Sequence, residues 1–304
     1  MITHSDPIGF IGIGAIGRPI AERLAAKHEL VIYDSRPSAR SEFPLPARMA
    51  QSAREVGSEA ETVFACLPSI QAYENAVLGA DGLIEGTRVR RFIHIGTTGP
   101  AFVREMSTRL LDKGIETLDA PVTGGPGKAR DGTLTVIASG DRALYDFGEQ
   151  LMRAFAARVI HTGPKAGMAQ MLKLINNVLS AANLAMASEL LVVSAKLGFS
   201  PDIVLEVLNA GTGQNSATLT KIPDHIVPRS FDYGGRLEIV CKDLEMLLSE
   251  TQSMNHAIPL SETVIKTYRD ARESEGNDSD MTTIIRPMER AAGVIVSRTQ
   301  APGS

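Results

Sequence analysis

Ile8-Gly9-Phe10-Ile11-Gly12-Ile13-Gly14-Ala15-Ile16-Gly17 is the stretch whose reading decides the fold. The run Ile8 to Ile11 has the length and apolar character of a buried strand. It passes directly into G-x-G-x-x-G, and an amphipathic helical pattern, Ile16 to Ala26, opens on the last glycine. In that setting each glycine has a physical task. Gly12 permits the tight turn, Gly14 lets the backbone approach a pyrophosphate, and Gly17 lets the helix pack closely. Ala15 and Ile16 complete a turn whose N–H groups, at a helix N-terminus, favour an anion. The next apolar run, Leu30 to Tyr33, ends in Asp34, roughly twenty residues on, where a carboxylate accepts hydrogen bonds from the adenine-side ribose. The pattern predicts a dinucleotide site with NAD as cofactor. Arg36, two residues later, is placed to meet the extra phosphate of NADP, which stays open as the second cofactor.

Further short apolar runs follow at Val63 to Leu67, Phe92 to Ile95, Ile115 to Leu118 and Leu134 to Ala138. Helical candidates alternate with them at Ile70 to Leu78, Ala101 to Lys113 and Arg142 to Phe155. This alternation predicts an α/β fold with a doubly wound, Rossmann-type sheet and crossover helices. The rhythm stops after Val159-Ile160-His161, and Gly163-Pro164 punctuates the change. A dinucleotide-binding domain over 1–163 and an all-helical domain over 164–298 are expected, with a frayed tail at 299–304. The two are joined through a long helix, Met168 to Leu197, of roughly 40–45 Å. Later helices are expected at Pro201 to Leu208, Leu237 to Met254, Pro259 to Glu273 and Met281 to Ala292.

Composition narrows the function classes. The 304 residues are 43% hydrophobic and 22% charged, which fits a folded globular chain. A net charge of −4 provides no basic field for nucleic acid or an anionic membrane. The two cysteines, Cys66 and Cys241, have no metal-ligand spacing and no histidine close in sequence, so a structural role in a reducing, cytoplasmic setting is expected. The N-terminus lacks the signal-peptide pattern. The apolar span Leu174 to Leu197 carries Asn176, Asn177, Asn183, Glu189 and Lys196, so it reads as a buried helix of a soluble protein rather than a lipid-exposed one.

Two constellations carry candidate chemistry. Asp119-Ala120-Pro121-Val122-Thr123-Gly124-Gly125 is a small, donor-rich loop after a strand, able to hold a carboxylate through backbone N–H groups and the Thr123 hydroxyl. Lys173 and Asn177, four residues apart, share one helical face and can act on one ligand. Hydride transfer needs a group that takes or returns a hydroxyl proton, and a lysine depressed by burial can do both.

The chain resembles the beta-hydroxyacid dehydrogenase family, which includes 3-hydroxyisobutyrate dehydrogenase and tartronate semialdehyde reductase. The resemblance spans nearly the whole chain and rests on Gly12 to Gly17, Asp119 to Gly125, Gly167 to Asn177 and Lys242-Asp243-Leu244. It implies that Lys173 is the catalytic acid/base and that Thr123, Gly124, Gly125 and Asn177 hold a short hydroxy acid between the domains. It also implies cofactor contacts from Leu67, Pro68, Thr97 and Lys242, and a homodimer or homotetramer. The chain departs from the family pattern at Thr123, where serine is usual, at Ala169, where glycine is common, and in His94-Ile95-Gly96-Thr97. That last stretch usually has an acid first and serine third; His94 reads as a structural histidine at a strand end. Gly213-Gln214-Asn215-Ser216 is a further polar loop that could touch substrate. The alternatives are an imine reductase on the same scaffold, against which Lys173 argues, and a non-catalytic dinucleotide-binding scaffold or sensor, which would lack the lysine. Oxidative decarboxylation, as in the related 6-phosphogluconate dehydrogenases, is disfavoured by the shorter chain.

Overall fold

The computed structural model describes residues 6–298; the tail expected at 299–304 lies outside them. Six parallel strands form the main sheet: β1 (Ile8–Ile11), β2 (Leu30–Tyr33), β3 (Arg48–Met49), β4 (Thr62–Ala65), β5 (Arg91–His94) and β6 (Glu116–Asp119). Their order is β3-β2-β1-β4-β5-β6, so the chain reverses direction across the sheet between β1 and β4. Ligands of open α/β sheets bind outside the carboxyl ends of the strands at such a switch point. Successive residues of each strand face opposite sides. Phe10, Ile32, Phe64, Ile93 and Leu118 therefore enter one core, and Ile11, Val31, Val63 and Phe92 the other. Phe10 stacks on Phe64 with centroids 6.2 Å apart. Full burial of one such side chain contributes roughly 1.5–3 kcal/mol.

Leu134 to Ala138, expected in the main sheet, instead forms β8 of a three-stranded sheet with β7 (Val122–Thr123) and β9 (Ala156–His161), in the order β7-β8-β9. The two sheets meet through the bridge between Asp119 and Ser139. Helices at Pro37–Ser41, Ala53–Glu59 and Gly125–Asp131, and a ten-residue π-helical segment at Ala217–Ile226, occupy stretches without an assigned element in the sequence reading. They are short or carry irregular apolar spacing, so periodicity is weak in them.

The chain divides into two compact units between Lys173 and Leu174. The first turn of the long helix, Met168–Lys196, is bonded into the first unit through Asp119, which accepts Gln170 N. The second unit is helical, with helices at Pro201–Ala210, Leu237–Ser253, Pro259–Glu275 and Ile285–Ala292. The long helix is apolar enough to cross a membrane by length and composition. The sequence reading expected it to be buried, and in this chain it is buried on one side only. Leu174, Val178, Ala181, Leu184 and Leu191 are buried, whereas Leu172, Ile175, Leu179, Met186, Leu190 and Val193 are 45–63% exposed. Apolar side chains on both faces erase the amphipathic period from which the covered side could have been read.

Candidate active site

The glycine turn has the geometry its sequence demands. Gly12 adopts φ +90°, and a Cβ there would lie 2.5 Å from the Cys66 carbonyl oxygen. A Cβ on Gly17 would come within 2.0 Å of the Gly12 oxygen, so only glycine lets the helix at Gly17–Ala25 start where it does. A Cβ on Gly14 would meet nothing within 4 Å. The protein thus does not need glycine at 14 for its own packing. Open space at the start of a helix, beside free N–H groups, suits a pyrophosphate. Ala15 is exposed and Ile16 half-buried in the same turn.

Asp34 sits at the end of β2 with both carboxylate oxygens engaged. It accepts from Ile13 N at 2.9 Å, Arg36 N at 2.9 Å, Arg36 Nε at 3.0 Å and Arg36 Nη2 at 3.1 Å. Burial works to raise its pKa, but the bonds from Arg36 and Ile13 outweigh it and hold the carboxyl below its ordinary value. Sequence spacing places Asp34 and Arg36 as separate readers of a ribose and a phosphate. In the folded chain they form one ion pair, with Asp34 buried and the Arg36 side chain 59% exposed.

The carboxyl ends of β4 and β5 are tied together by Tyr73, which the sequence reading did not single out. Its fully buried hydroxyl donates to Ala65 O at 2.9 Å and accepts from Leu67 N at 3.3 Å and Gly96 N at 3.0 Å. Desolvation pushes the phenol far above its usual pKa, so it remains a donor. These bonds shape the turns that carry Leu67 and Pro68 on one side and Thr97 on the other. The glycine at 96 is also explained, since a Cβ there would lie 2.5 Å from the Tyr73 hydroxyl oxygen.

The start of the long helix is anchored by a buried polar network. Asp119, at the end of β6, accepts Gly167 N at 3.1 Å and Gln170 N at 3.2 Å through Oδ2. It thereby satisfies N–H groups that have no partner inside the helix. Ser139 Oγ accepts Ala169 N at 3.0 Å and donates to Asp119 Oδ2 at 3.3 Å. Gln170 donates to Asp119 Oδ1 at 2.6 Å and Gly96 O at 3.0 Å, and accepts from Thr98 N at 3.0 Å and Gly99 N at 3.1 Å. His94 stands 3.6 Å from Asp119 Oδ1 through Nδ1 and bonds Thr98 Oγ1 at 3.2 Å through Nε2. Asp119, Gln170 and His94 are all fully buried, which fits the structural reading of His94. One turn beyond Gln170 comes Lys173, 9% exposed. The network thus locks the lysine's helix to the 96–99 loop that follows β5. Gln170 carries no signal in a single sequence, because a glutamine near a helix start is usually solvated.

Thr123 ends β7 half-buried, and Gly124 and Gly125 follow with φ +133° and +75°, so this loop needs glycine for its backbone. In the second unit, the Asn177 amide donates to Asp243 Oδ2 at 2.7 Å, and Lys242 Nζ lies 3.1 Å from Asp243 Oδ1. Asp243, 6% exposed, therefore orients both residues, a role its place in Lys242-Asp243-Leu244 did not disclose. The Gly213–Ser216 loop is occupied with its own backbone: Asn215 Oδ1 accepts Ala217 N at 2.9 Å and Asn215 Nδ2 donates to Gly213 O at 2.9 Å. Cys66 and Cys241 are free thiols; desolvation pushes Cys66 up to about 12 and raises Cys241, so neither is a ready nucleophile.

Residues 7–163 match the family model described as the NAD binding domain of 6-phosphogluconate dehydrogenase. Residues 167–288 match that described as NAD-binding of NADP-dependent 3-hydroxyisobutyrate dehydrogenase. The chain is 27% identical to 2-(hydroxymethyl)glutarate dehydrogenase of Eubacterium barkeri, over 98% of this chain and all of that protein. It is 27% identical to L-threonate dehydrogenase of Cupriavidus necator, over 93% of this chain and 96% of that one. Among solved structures, 3-hydroxyisobutyrate dehydrogenase of Mycobacterium tuberculosis with L-serine superposes with a TM-score of 0.82 at 26% identity, covering 93% of this chain and 99% of that one.

Proposed function

Because this chain belongs to the beta-hydroxyacid dehydrogenase family, we propose that it oxidises a short beta-hydroxy acid reversibly to the semialdehyde, with Lys173 moving the proton. It is a nicotinamide-dependent oxidoreductase acting on a hydroxyl carbon. When bound, NAD would supply the hydride acceptor for that carbon. Lys173 takes the hydroxyl proton during oxidation and returns it during reduction, so one hydride and one proton leave the substrate and a carbonyl remains. Thr123, Gly124, Gly125 and Asn177 orient the carboxylate and hydroxyl; such positioning supplies much of the acceleration. Gly12, Gly14, Ala15, Ile16 and Gly17 would hold the pyrophosphate, and Asp34 the ribose once Arg36 yields. Leu67, Pro68 and Thr97 would line the nicotinamide side, with Lys242 as a further cofactor contact.

The observation that carries this reading is the burial of Lys173 one turn after Gln170, whose side chain bonds Asp119, Gly96, Thr98 and Gly99. A merely solvated lysine would need no such anchorage. The test is a spectrophotometric screen of NAD and NADP against beta-hydroxy acids and their semialdehydes, with wild type and Lys173→Ala. Turnover lost by a factor of about 10²–10⁴ in the variant, with NAD affinity nearly unchanged, is expected. Equal turnover in both proteins would remove Lys173 from the mechanism.

A homo-oligomer is part of the proposal. The exposed stripe Leu172, Ile175, Leu179, Met186, Leu190 and Val193 follows helical spacing and is suited to cover by a second copy. Leu179→Asp, analysed by light scattering, should yield a smaller particle; an unchanged mass would place the interface elsewhere. A reducing, cytoplasmic setting is proposed from the two free thiols.

A further inference from the structure

Three buried carboxylates in this protein face cations: Asp34 meets Arg36, Asp243 meets Lys242 at 3.1 Å and Glu289 meets Arg229 at 2.5 Å. Lys221, in the second unit, is treated differently. It is 5% exposed, its ammonium donates to Ser180 Oγ at 2.7 Å, and it lies 5.4 Å from the centre of the Tyr233 ring. Both partners are neutral, and among the described residues no carboxylate is found at ion-pair distance of Lys221. An enclosed charge without a counter-ion is costly, and desolvation accordingly pushes this lysine below its ordinary pKa. An anion arriving from outside removes that cost.

The position says which anion. Ser180 stands three residues after Asn177 on the same helix, so both project from one face with roughly 4.5 Å of rise between them. We propose that Lys221 and the Ser180 hydroxyl receive a second carboxylate of the substrate, which makes that substrate a short hydroxy dicarboxylic acid. The inference rests on the assignment of Asn177 as a substrate contact in the proposed function. One ammonium and one hydroxyl match the single charge of a carboxylate, whereas a phosphate dianion would leave charge unanswered. The Tyr233 ring adds a favourable face on the other side of the cation.

Calorimetry on the full chain with NAD present provides a test that does not depend on turnover, using glutarate, a dicarboxylate without a hydroxyl, and butyrate as its monocarboxylate partner. Wild type should bind glutarate at least about tenfold more tightly than butyrate. Lys221→Met should abolish that ratio and Lys221→Arg should keep part of it, with thermal melts confirming that both variants fold. Ser180→Ala, which leaves the lysine in place, should lower the ratio by less. In turnover, the selectivity for (hydroxymethyl)succinate over 3-hydroxyisobutyrate, taken as the quotient of their specificity constants, should fall about tenfold or more in Lys221→Met. A glutarate preference that is absent in wild type, or unchanged by Lys221→Met, overturns the inference. A Lys221-dependent preference without oxidation of either acid upholds this anion site and instead refutes the proposed reaction.

Discussion

Replacing Gln170 by leucine would preserve most of the side-chain volume while deleting four buried hydrogen bonds. Thr98 N and Gly99 N would lose their acceptor, and Gly96 O and Asp119 Oδ1 a donor. Each buried polar group left without a partner costs about 1–3 kcal/mol. The four share one site and relax together, so the sum is not additive, and a loss of about 3–5 kcal/mol is expected. For a unit of this size that corresponds to roughly 8–15 °C in Tm. Turnover should fall on the order of 10–100-fold as well, because Lys173 lies one turn along the loosened helix. Gln170→Glu separates the contributions. Its carboxyl would stand beside Asp119 Oδ1, where two carboxylates cannot both ionise, so the folded state would raise a carboxyl pKa. A raised acid pKa leaves stability intact below the unfolded value and removes it as pH rises through the folded value. The glutamate variant should therefore approach wild type near about pH 5 and weaken steadily towards pH 8. Urea titrations of the three proteins across that range give the measurement. A loss below about 1 kcal/mol in the leucine variant would refute the claim that this network anchors the helix.

Gly14→Ala should fold with a Tm close to wild type, since its Cβ meets no protein atom, yet lose NAD affinity about tenfold or more; unchanged binding by calorimetry would move the pyrophosphate elsewhere. Arg36→Leu frees the Asp34 carboxylate, and NAD affinity should rise a few-fold, about 1 kcal/mol, while NADP affinity falls; the opposite order would show that Arg36 supports the adenosine end. Asp34 and Glu275 both have depressed folded-state pKa values. Their stabilisation is therefore complete above the ordinary carboxylate range and lost as pH falls through the folded values, and Asp34→Asn should be less stable than wild type at pH 7 but converge with it below about pH 4. Parallel melting curves at both pH values would contradict the ion-pair account.

Local chemistry is strongly legible in this chain. The turn from Ile11 to Gly17 could be read from the sequence because its constraints lie within a few residues: a Cβ at 17 collides with the carbonyl at 12 whatever the rest of the molecule does. The alternation of apolar runs likewise announced the parallel sheet, since both faces of such strands are buried. The resemblance named Lys173 and Asn177 by position, and helical spacing joined them. What required the tertiary structure was every relation between groups distant in the chain. Asp119 and Gln170, Tyr73 and Gly96, Asn177 and Asp243, and Lys221 and Ser180 each meet across intervals that no local period encodes. Leu134 to Ala138 reads like any other strand, and only its hydrogen-bonding partners moved it to a second sheet. Short-range sterics and hydrophobic period decide which backbone conformations a segment can adopt. Which polar groups then satisfy one another, and which charge is left facing neutral partners, is determined only when the folded chain brings them within hydrogen-bond reach.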